Sequence, residues 1–286
     1  MDFKDKIGFV GLGNMGHPMA KNLENAGVDL YVFNRTQEKT VDFQEKSTVC
    51  TNLAELIKQV DIVFTMLSND DAVYSVYENL LQHDVSGKVF VDMSTISKEA
   101  SASIAASLEA KSAHFIDAPV AGSTTPAKEG TLLFMTVCKE NHFQRVKPYL
   151  EIMGKAVKHL GDNGMGVSAK LCINYYLSIL YQGMAETVLF AEKLGISRAA
   201  MMEIINESAS GSGASKVKTE SIISNSFPAA FALDLMLKDI KLAVDAGADL
   251  PFSHTLINTY QEAHNAGYGT DDVMAIMQYL KEKQNN

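Results

Sequence analysis

Cysteine is scarce in this chain, and the little it has is poorly placed for chemistry. Cys50, Cys138 and Cys172 are odd in number, widely scattered and form no CxxC pair, so reduced thiols in a cytoplasmic compartment are the simplest reading. The seven histidines show no HxxxH or HxE arrangement, which leaves a protein-bound metal without support. No run of 18 uncharged apolar residues occurs, so no membrane span is expected. Two acidic residues and an immediate strand in "MDFKDKIGFVGLG" speak against a secretory signal. Basic residues are also in deficit: 25 Lys and Arg against 34 Asp and Glu give a net charge of −9. That balance argues against a nucleic-acid backbone as partner, but not against one small phosphorylated ligand held by local groups.

What remains is a long chain with two rhythms. At 286 residues and 47% hydrophobic content it has room for two ordinary domains. Up to about residue 160, β-rich runs ("KIGFVGL", "DLYVFN", "DIVFTML", "KVFVDMS", "AHFID", "TLLFMTV") alternate with amphipathic stretches. The first four runs are almost continuously apolar, as in parallel strands covered on both faces. "MGHPMAKNLENAG" closes on Gly27, and "NLAELIKQV" is capped by Asn52. Repeated βα units imply a doubly wound, mostly parallel sheet over residues 1–163. After Gly166 strand-like alternation stops. Residues 164–286 then read as an all-α domain, with helices near 165–194, 197–208, 214–225, 233–247, 252–266 and 271–283. The first of these is apolar almost all round, which marks a core or an interface. A helix of that kind fits a homo-oligomer.

Gly11, Gly13 and Gly16 in "GFVGLGNMGHPMAKNL" have G-x-G-x-x-G spacing, with Leu12, Asn14 and Met15 between them. The spacing follows an apolar strand and opens a helix, the context of a Rossmann-type dinucleotide loop. There the glycines give a tight turn, close approach of a pyrophosphate, and helix–strand packing, while helix-start amides hold phosphate. The end of the second strand bears on the cofactor. NAD sites usually carry Asp or Glu about 20 residues past the glycines, whereas this chain reads Asn34-Arg35-Thr36. Arg35 suits a 2′-phosphate, and Thr36 and Lys39 add a hydroxyl and a charge. NADP(H) is therefore preferred, with NAD(H) still possible. A solvated loop arginine is the competing reading.

A second glycine-bearing loop, "DAPVAGSTTPAKEGTL", exposes backbone at Ala121, Gly122 and Ser123 and suits a small carboxylate. It reads equally well as an ordinary loop with Thr125 as cap and Pro126 as first helical residue. Further on, "GDNGMGVSAKLCINYYLSIL" places Lys170 near the start of the apolar helix and Asn174 one turn later on the same face. Such a lysine either snorkels to solvent or does chemistry.

Together these stretches resemble the β-hydroxyacid dehydrogenase family, which includes 3-hydroxyisobutyrate dehydrogenases and glyoxylate/succinic semialdehyde reductases. Four blocks match in order: the extended "GFVGLGNMGHPMAKNL", "DAPVAGSTTPAKEGTL", "GMGVSAKLCIN" and "FALDLMLKDIKLA". The resemblance implies an NAD(P)-dependent oxidoreductase with Lys170 as catalytic lysine and Asn174 as its partner. It places substrate contacts at Ala121, Gly122, Ser123, Phe231 and Asp239, and cofactor contacts at Met66, Leu67, Thr95 and Lys238. Ala121-Gly122-Ser123 departs from the S-G-G of many members and is closer to the glyoxylate and succinic semialdehyde branch. The expected reaction interconverts a small carboxylate-bearing aldehyde or oxo acid with its hydroxy acid. An ammonium at the carbonyl oxygen would stabilise charge there and deliver the proton. A helix N-terminus and burial should both lower the pKa of such a lysine. The alternatives are an NAD-dependent 3-hydroxyisobutyrate dehydrogenase, a non-catalytic NADP(H)-binding protein, and an imine reductase, against which Lys170 itself argues.

Overall fold

Five short apolar strands, Ile7–Val10 (β1), Leu30–Phe33 (β2), Ile62–Thr65 (β4), Val89–Asp92 (β5) and His114–Asp117 (β6), lie parallel in one sheet. Thr48–Val49 (β3) adds an edge, giving the order β3-β2-β1-β4-β5-β6. All pairings are parallel and in register, with Val10 opposite both Phe33 and Thr65. The structure is a computed structural model that describes residues 3–137, 140–161 and 164–285. The chain divides into two units, Met1–Lys170 and Leu171–Asn286.

Helices Gly16–Asn25 (α1), Leu53–Gln59 (α2), Asp70–Leu80 (α3) and Lys98–Glu109 (α4) connect the strands. Asn52, Asn69 and Ser97 cap the last three, each accepting a backbone N–H with its side chain. β1, β4 and β5 are buried along their whole length, which is why they read as unbroken apolar runs. Phe9, Phe64, Val91 and Ile116 join Met19 and Leu23 of α1 in the core on one face.

One of the six expected strands does not belong to this sheet. Leu132–Thr136 (β8) sits in a second, three-stranded sheet between Val120–Ala121 (β7) and Gly154–His159 (β9). β7 is antiparallel to it and β9 parallel. Thr124–Lys128 (α5) and Glu140–Met153 (α6) provide the connections. The sequence reading missed β9 because "GKAVKH" is a half-exposed edge without an apolar run.

The long helix Met165–Lys193 (α7) runs from the first unit into the second. It is followed by Arg198–Glu207 (α8), Gly213–Ser224 (α9), Leu233–Asp245 (α10), Ser253–Ala263 (α11) and Ile276–Asn285 (α12). The core of the second unit gathers Tyr181, Val188, Met202, Ile222, Leu237 and Tyr260. Two helix ends differ from the sequence reading. α11 stops at Ala263 and passes into a wide turn through Gly267, whose φ is +97°. α12 is preceded by a 3₁₀ turn over Val273–Ala275, started by the Asp272 side chain accepting from Met274 N–H. Asp272 also accepts Lys218 Nζ at 2.7 Å on both oxygens, an ion pair buried in this unit.

No helix among the described residues is long and apolar enough to cross a membrane. Cys50 is buried and Cys172 exposed, both as free thiols, while Cys138 lies outside the described residues.

Candidate functional site

The glycine loop explains itself residue by residue. Gly11 has φ +100°, and a Cβ there would lie 2.4 Å from the Met66 carbonyl oxygen. A Cβ on Gly16 would lie 1.9 Å from the Gly11 carbonyl oxygen, so the start of α1 can close on the turn only without a side chain. At Gly13 a Cβ would meet no protein atom within 4 Å: this glycine faces open space. That is the cradle a pyrophosphate needs, two glycines for the protein's own packing and one for the ligand. Met15 at the cap of α1 offers no side-chain acceptor, so side chains do not compete with a phosphate for the helix-start amides.

A cavity of about 480 Å³ opens over this loop, lined by Gly11, Gly13, Asn34, Arg35, Thr36, Lys39, Met66 and Leu67 among others. The predicted residues at the ends of β1, β2 and β4 thus come together. Arg35 and Thr36 are exposed at its rim. Asn34 is a clamp: its Oδ1 accepts Leu12 N–H at 2.8 Å, and its Nδ2 donates to the Thr36 carbonyl at 2.9 Å. An aspartate would keep the first bond but turn a second acceptor on that carbonyl. The asparagine therefore fits the turn it stands in, apart from any ligand.

Behind Met66–Leu67 lies a buried polar network that the sequence reading did not single out. Leu67 N–H donates to Ser94 Oγ at 2.9 Å, and Ser94 Oγ donates to Asp92 Oδ1 at 2.7 Å. Thr65 Oγ1 donates to the same oxygen at 2.6 Å. Asp92 is 2% exposed, and burial pushes its carboxyl up to about 6 in spite of these donors. Thr95 follows, half-buried, just past the end of β5.

The second loop leaves β6 at Asp117. Gly122 has φ +142°, and a Cβ there would lie 2.6 Å from a Leu132 methyl, so the bend tolerates only glycine. Ser123, not Thr125, stands at the cap of α5, and its side chain makes no capping bond. Asp117 Oδ2 accepts Val167 N–H, at 2.8 Å, at the start of α7, and the nearby Gly166 amide also favours the charged form. Burial is the main cause that pushes this carboxyl up to about 7, and the Asp92 charge adds to it. Lys170 follows on α7 and is 8% exposed, so it does not snorkel to solvent.

Asn174 is 3% exposed, and its Nδ2 donates to Asp239 Oδ2 on α10. Lys238 Nζ lies 3.1 Å from the other oxygen of Asp239. Asp239 is itself 2% exposed, so it joins two predicted site residues through a buried carboxylate. Phe231, half-buried, precedes α10 on a segment laced to residues 271–273, with Phe231 N–H donating to Asp272 Oδ2 at 3.2 Å. The buried polar residues that the sequence reading passed over, Asp92, Ser94 and Asp117, all stand at or just past strand C-termini, and that position was the available signal.

Comparison with known proteins gives the family. The family model described as the NAD binding domain of 6-phosphogluconate dehydrogenase matches residues 6–161. The one described as NAD-binding of NADP-dependent 3-hydroxyisobutyrate dehydrogenase matches residues 164–280. The chain is 33% identical to 2-(hydroxymethyl)glutarate dehydrogenase of Eubacterium barkeri, over 99% of this chain and 97% of that one. It is 31% identical to glyoxylate/succinic semialdehyde reductase 1 of Arabidopsis thaliana, over 96% and 98%. The solved structure of Mycobacterium tuberculosis 3-hydroxyisobutyrate dehydrogenase with L-serine superposes with a TM-score of 0.86 at 30% identity, covering 96% and 99%. With both halves matched in order over almost its whole length, the chain belongs to the β-hydroxyacid dehydrogenase family, as a nicotinamide-dependent oxidoreductase acting on the CH–OH group of hydroxy acids.

Proposed function

We propose that this protein is an NADPH-preferring reductase of small aldehydes or oxo acids that carry a carboxylate, of the glyoxylate or succinic semialdehyde type, with Lys170 as general acid and base. One observation carries the reading: a lysine only 8% exposed stands near the start of α7, in the same unit as the glycine loop and the Ala121-Gly122-Ser123 bend. A bound nicotinamide supplies or accepts the hydride. Lys170 gives its proton to the carbonyl oxygen in reduction and takes one from the hydroxyl in oxidation. Asn174, one turn along, orients the lysine or the substrate oxygen and is itself held by Asp239. The backbone at Ala121 and Gly122, with Ser123, receives the substrate carboxylate. Arg35, with Thr36 and Lys39, receives the 2′-phosphate, because no carboxylate at the end of β2 competes for the ribose. Thr95, Lys238 and Phe231 complete the cofactor and substrate contacts.

The exposed side chains Ile173, Tyr176, Phe190 and Leu194 form one stripe along α7, and we assign it to a homo-oligomer interface in the cytosol. A monomeric mass in light scattering at micromolar concentration would remove that assignment.

The test is oxidation of NADPH and NADH, followed by nicotinamide absorbance, against glyoxylate, succinic semialdehyde, methylglyoxal and 3-oxo acids. Lys170→Ala should abolish turnover while leaving NADPH binding intact. Arg35→Ala should raise the KM for NADPH by about tenfold or more and leave that for NADH nearly unchanged. Turnover of 3-hydroxyisobutyrate with NAD in preference would instead select the dehydrogenase reading. Tight NADPH binding with no turnover on any of these compounds would leave a non-catalytic role.

A further inference from the structure

The first turn of α7 has its cap supplied from fifty residues upstream. Asp117 Oδ2 accepts Val167 N–H at 2.8 Å, and the nearby Gly166 amide also favours its charged form. Ser168 adds a local brace, its Oγ donating to the Gly164 carbonyl at 2.7 Å. The acceptor is rigidly mounted. Ala118 N–H donates to the Asp92 carbonyl at 2.8 Å, and Val137 N–H donates to the Asp117 carbonyl at 2.9 Å, so neighbouring strands hold both sides of the residue. Fit requires glycine on the other partner, since a Cβ on Gly166 would lie 2.9 Å from Asp117 Oδ2 and 2.6 Å from the Met135 carbonyl oxygen. Gly166 and Val167 precede Lys170 by four and three residues, so the capped turn is the one Lys170 rests on.

We propose that Asp117 is a positioning residue for the reaction, holding the start of α7 against β6 so that Lys170 meets the substrate oxygen in register. The inference rests on Lys170 as proton donor. Asp117 touches neither substrate nor cofactor in this role. It sets where the helix begins, and a displacement of about 1 Å at a proton donor costs on the order of a hundredfold in rate.

The experiment compares the full-length wild type, Asp117→Ala, Asp117→Asn, Gly166→Ala and Lys170→Ala in kcat, in KM for each substrate, and in amide hydrogen exchange over residues 164–172. Asp117→Ala should lose ~10–100-fold in kcat with the KM for NADPH within about twofold of wild type. Exchange at Gly166 and Val167 should quicken. Asp117→Asn keeps a carbonyl acceptor and should restore most of kcat. Gly166→Ala, whose Cβ would crowd both the Met135 carbonyl and the carboxylate, should repeat the alanine phenotype, and Asp117→Asn keeps the test open if neither alanine variant folds. A wild-type kcat in both alanine variants would overturn the inference. An Asp117→Asn protein as inactive as Asp117→Ala would also overturn it, because the carboxylate would then act chemically. Full turnover by Lys170→Ala would instead sink the assignment of the lysine, whatever the Asp117 variants do.

Discussion

Replacing Asp117 by asparagine should stabilise the fold at neutral pH, by an amount that depends on pH in a defined way. The Asp117 side chain is 1% exposed, and burial dominates its titration, pushing the carboxyl up to about 7. The Val167 and Gly166 amides pull it down, while the Asp92 charge on the adjacent strand pushes it further up. A carboxyl raised on folding favours the protonated form in the native state. Its contribution to stability is therefore complete below the unfolded value near pH ~3.9 and is lost as pH rises through about 7. That rise, at ~1.4 kcal/mol for each tenfold change in proton affinity, puts the loss at ~4 kcal/mol. Asparagine keeps one acceptor for the helix amides and never ionises, so it escapes this loss. Urea unfolding of both proteins at about pH 5 and about pH 7 should show the stability difference, variant minus wild type, growing by ~2–3 kcal/mol between them. It should then level off above about pH 7. Asp92→Asn removes the like charge and should shift the wild-type curve to lower pH. A stability difference constant over this range would refute the claim that burial governs Asp117.

The glycine loop separates packing from binding. Gly13→Ala meets no protein atom within 4 Å, so it should leave the melting temperature unchanged yet weaken NADPH binding by about tenfold or more in fluorescence titration. Gly16→Ala forces a Cβ to 1.9 Å from a backbone oxygen and should lower both. In the second unit, Lys218→Met leaves the Asp272 carboxylate buried beside three backbone donors, and should cost ~3–5 kcal/mol in chemical denaturation. The double change Lys218→Met with Asp272→Asn should recover more than half of that loss, since no buried charge is then left without its partner.

The features that the sequence disclosed are those whose cause is local. β1, β4 and β5 are buried on both faces, and their unbroken apolar runs say so directly. Asn52 caps α2 through the amide three residues on, a relation that spacing alone reveals. Gly11 and Gly16 are constrained by one tight turn, so their spacing is its own signature. β9 has no such signature: Gly154–His159 is a strand only because Leu132–Thr136 offers it a partner. Helix boundaries at α11 and α12 were missed for the same reason, being set by the φ of Gly267 and by Asp272 rather than by periodicity.

The polar residues near the site follow the same division more sharply. That Lys170 and Asn174 share a face of α7 could be read from sequence because one helix turn relates them. What holds them could not, since Asn174 meets Asp239 across 65 positions and Val167 meets Asp117 across 50. Gly166 shows the difference within a single motif. In "GMGVSAK" it looks like one more flexible residue at a helix start, but its φ is not positive, whereas Gly164 has φ +89°. Its requirement is steric and lies in other strands: the Met135 carbonyl oxygen and the Asp117 carboxylate occupy the space a methyl would take. Position 166 and position 117 are thus two halves of one device. In this fold the carboxylate at the end of β6 can cap the lysine's helix only as long as the helix presents a bare backbone to it.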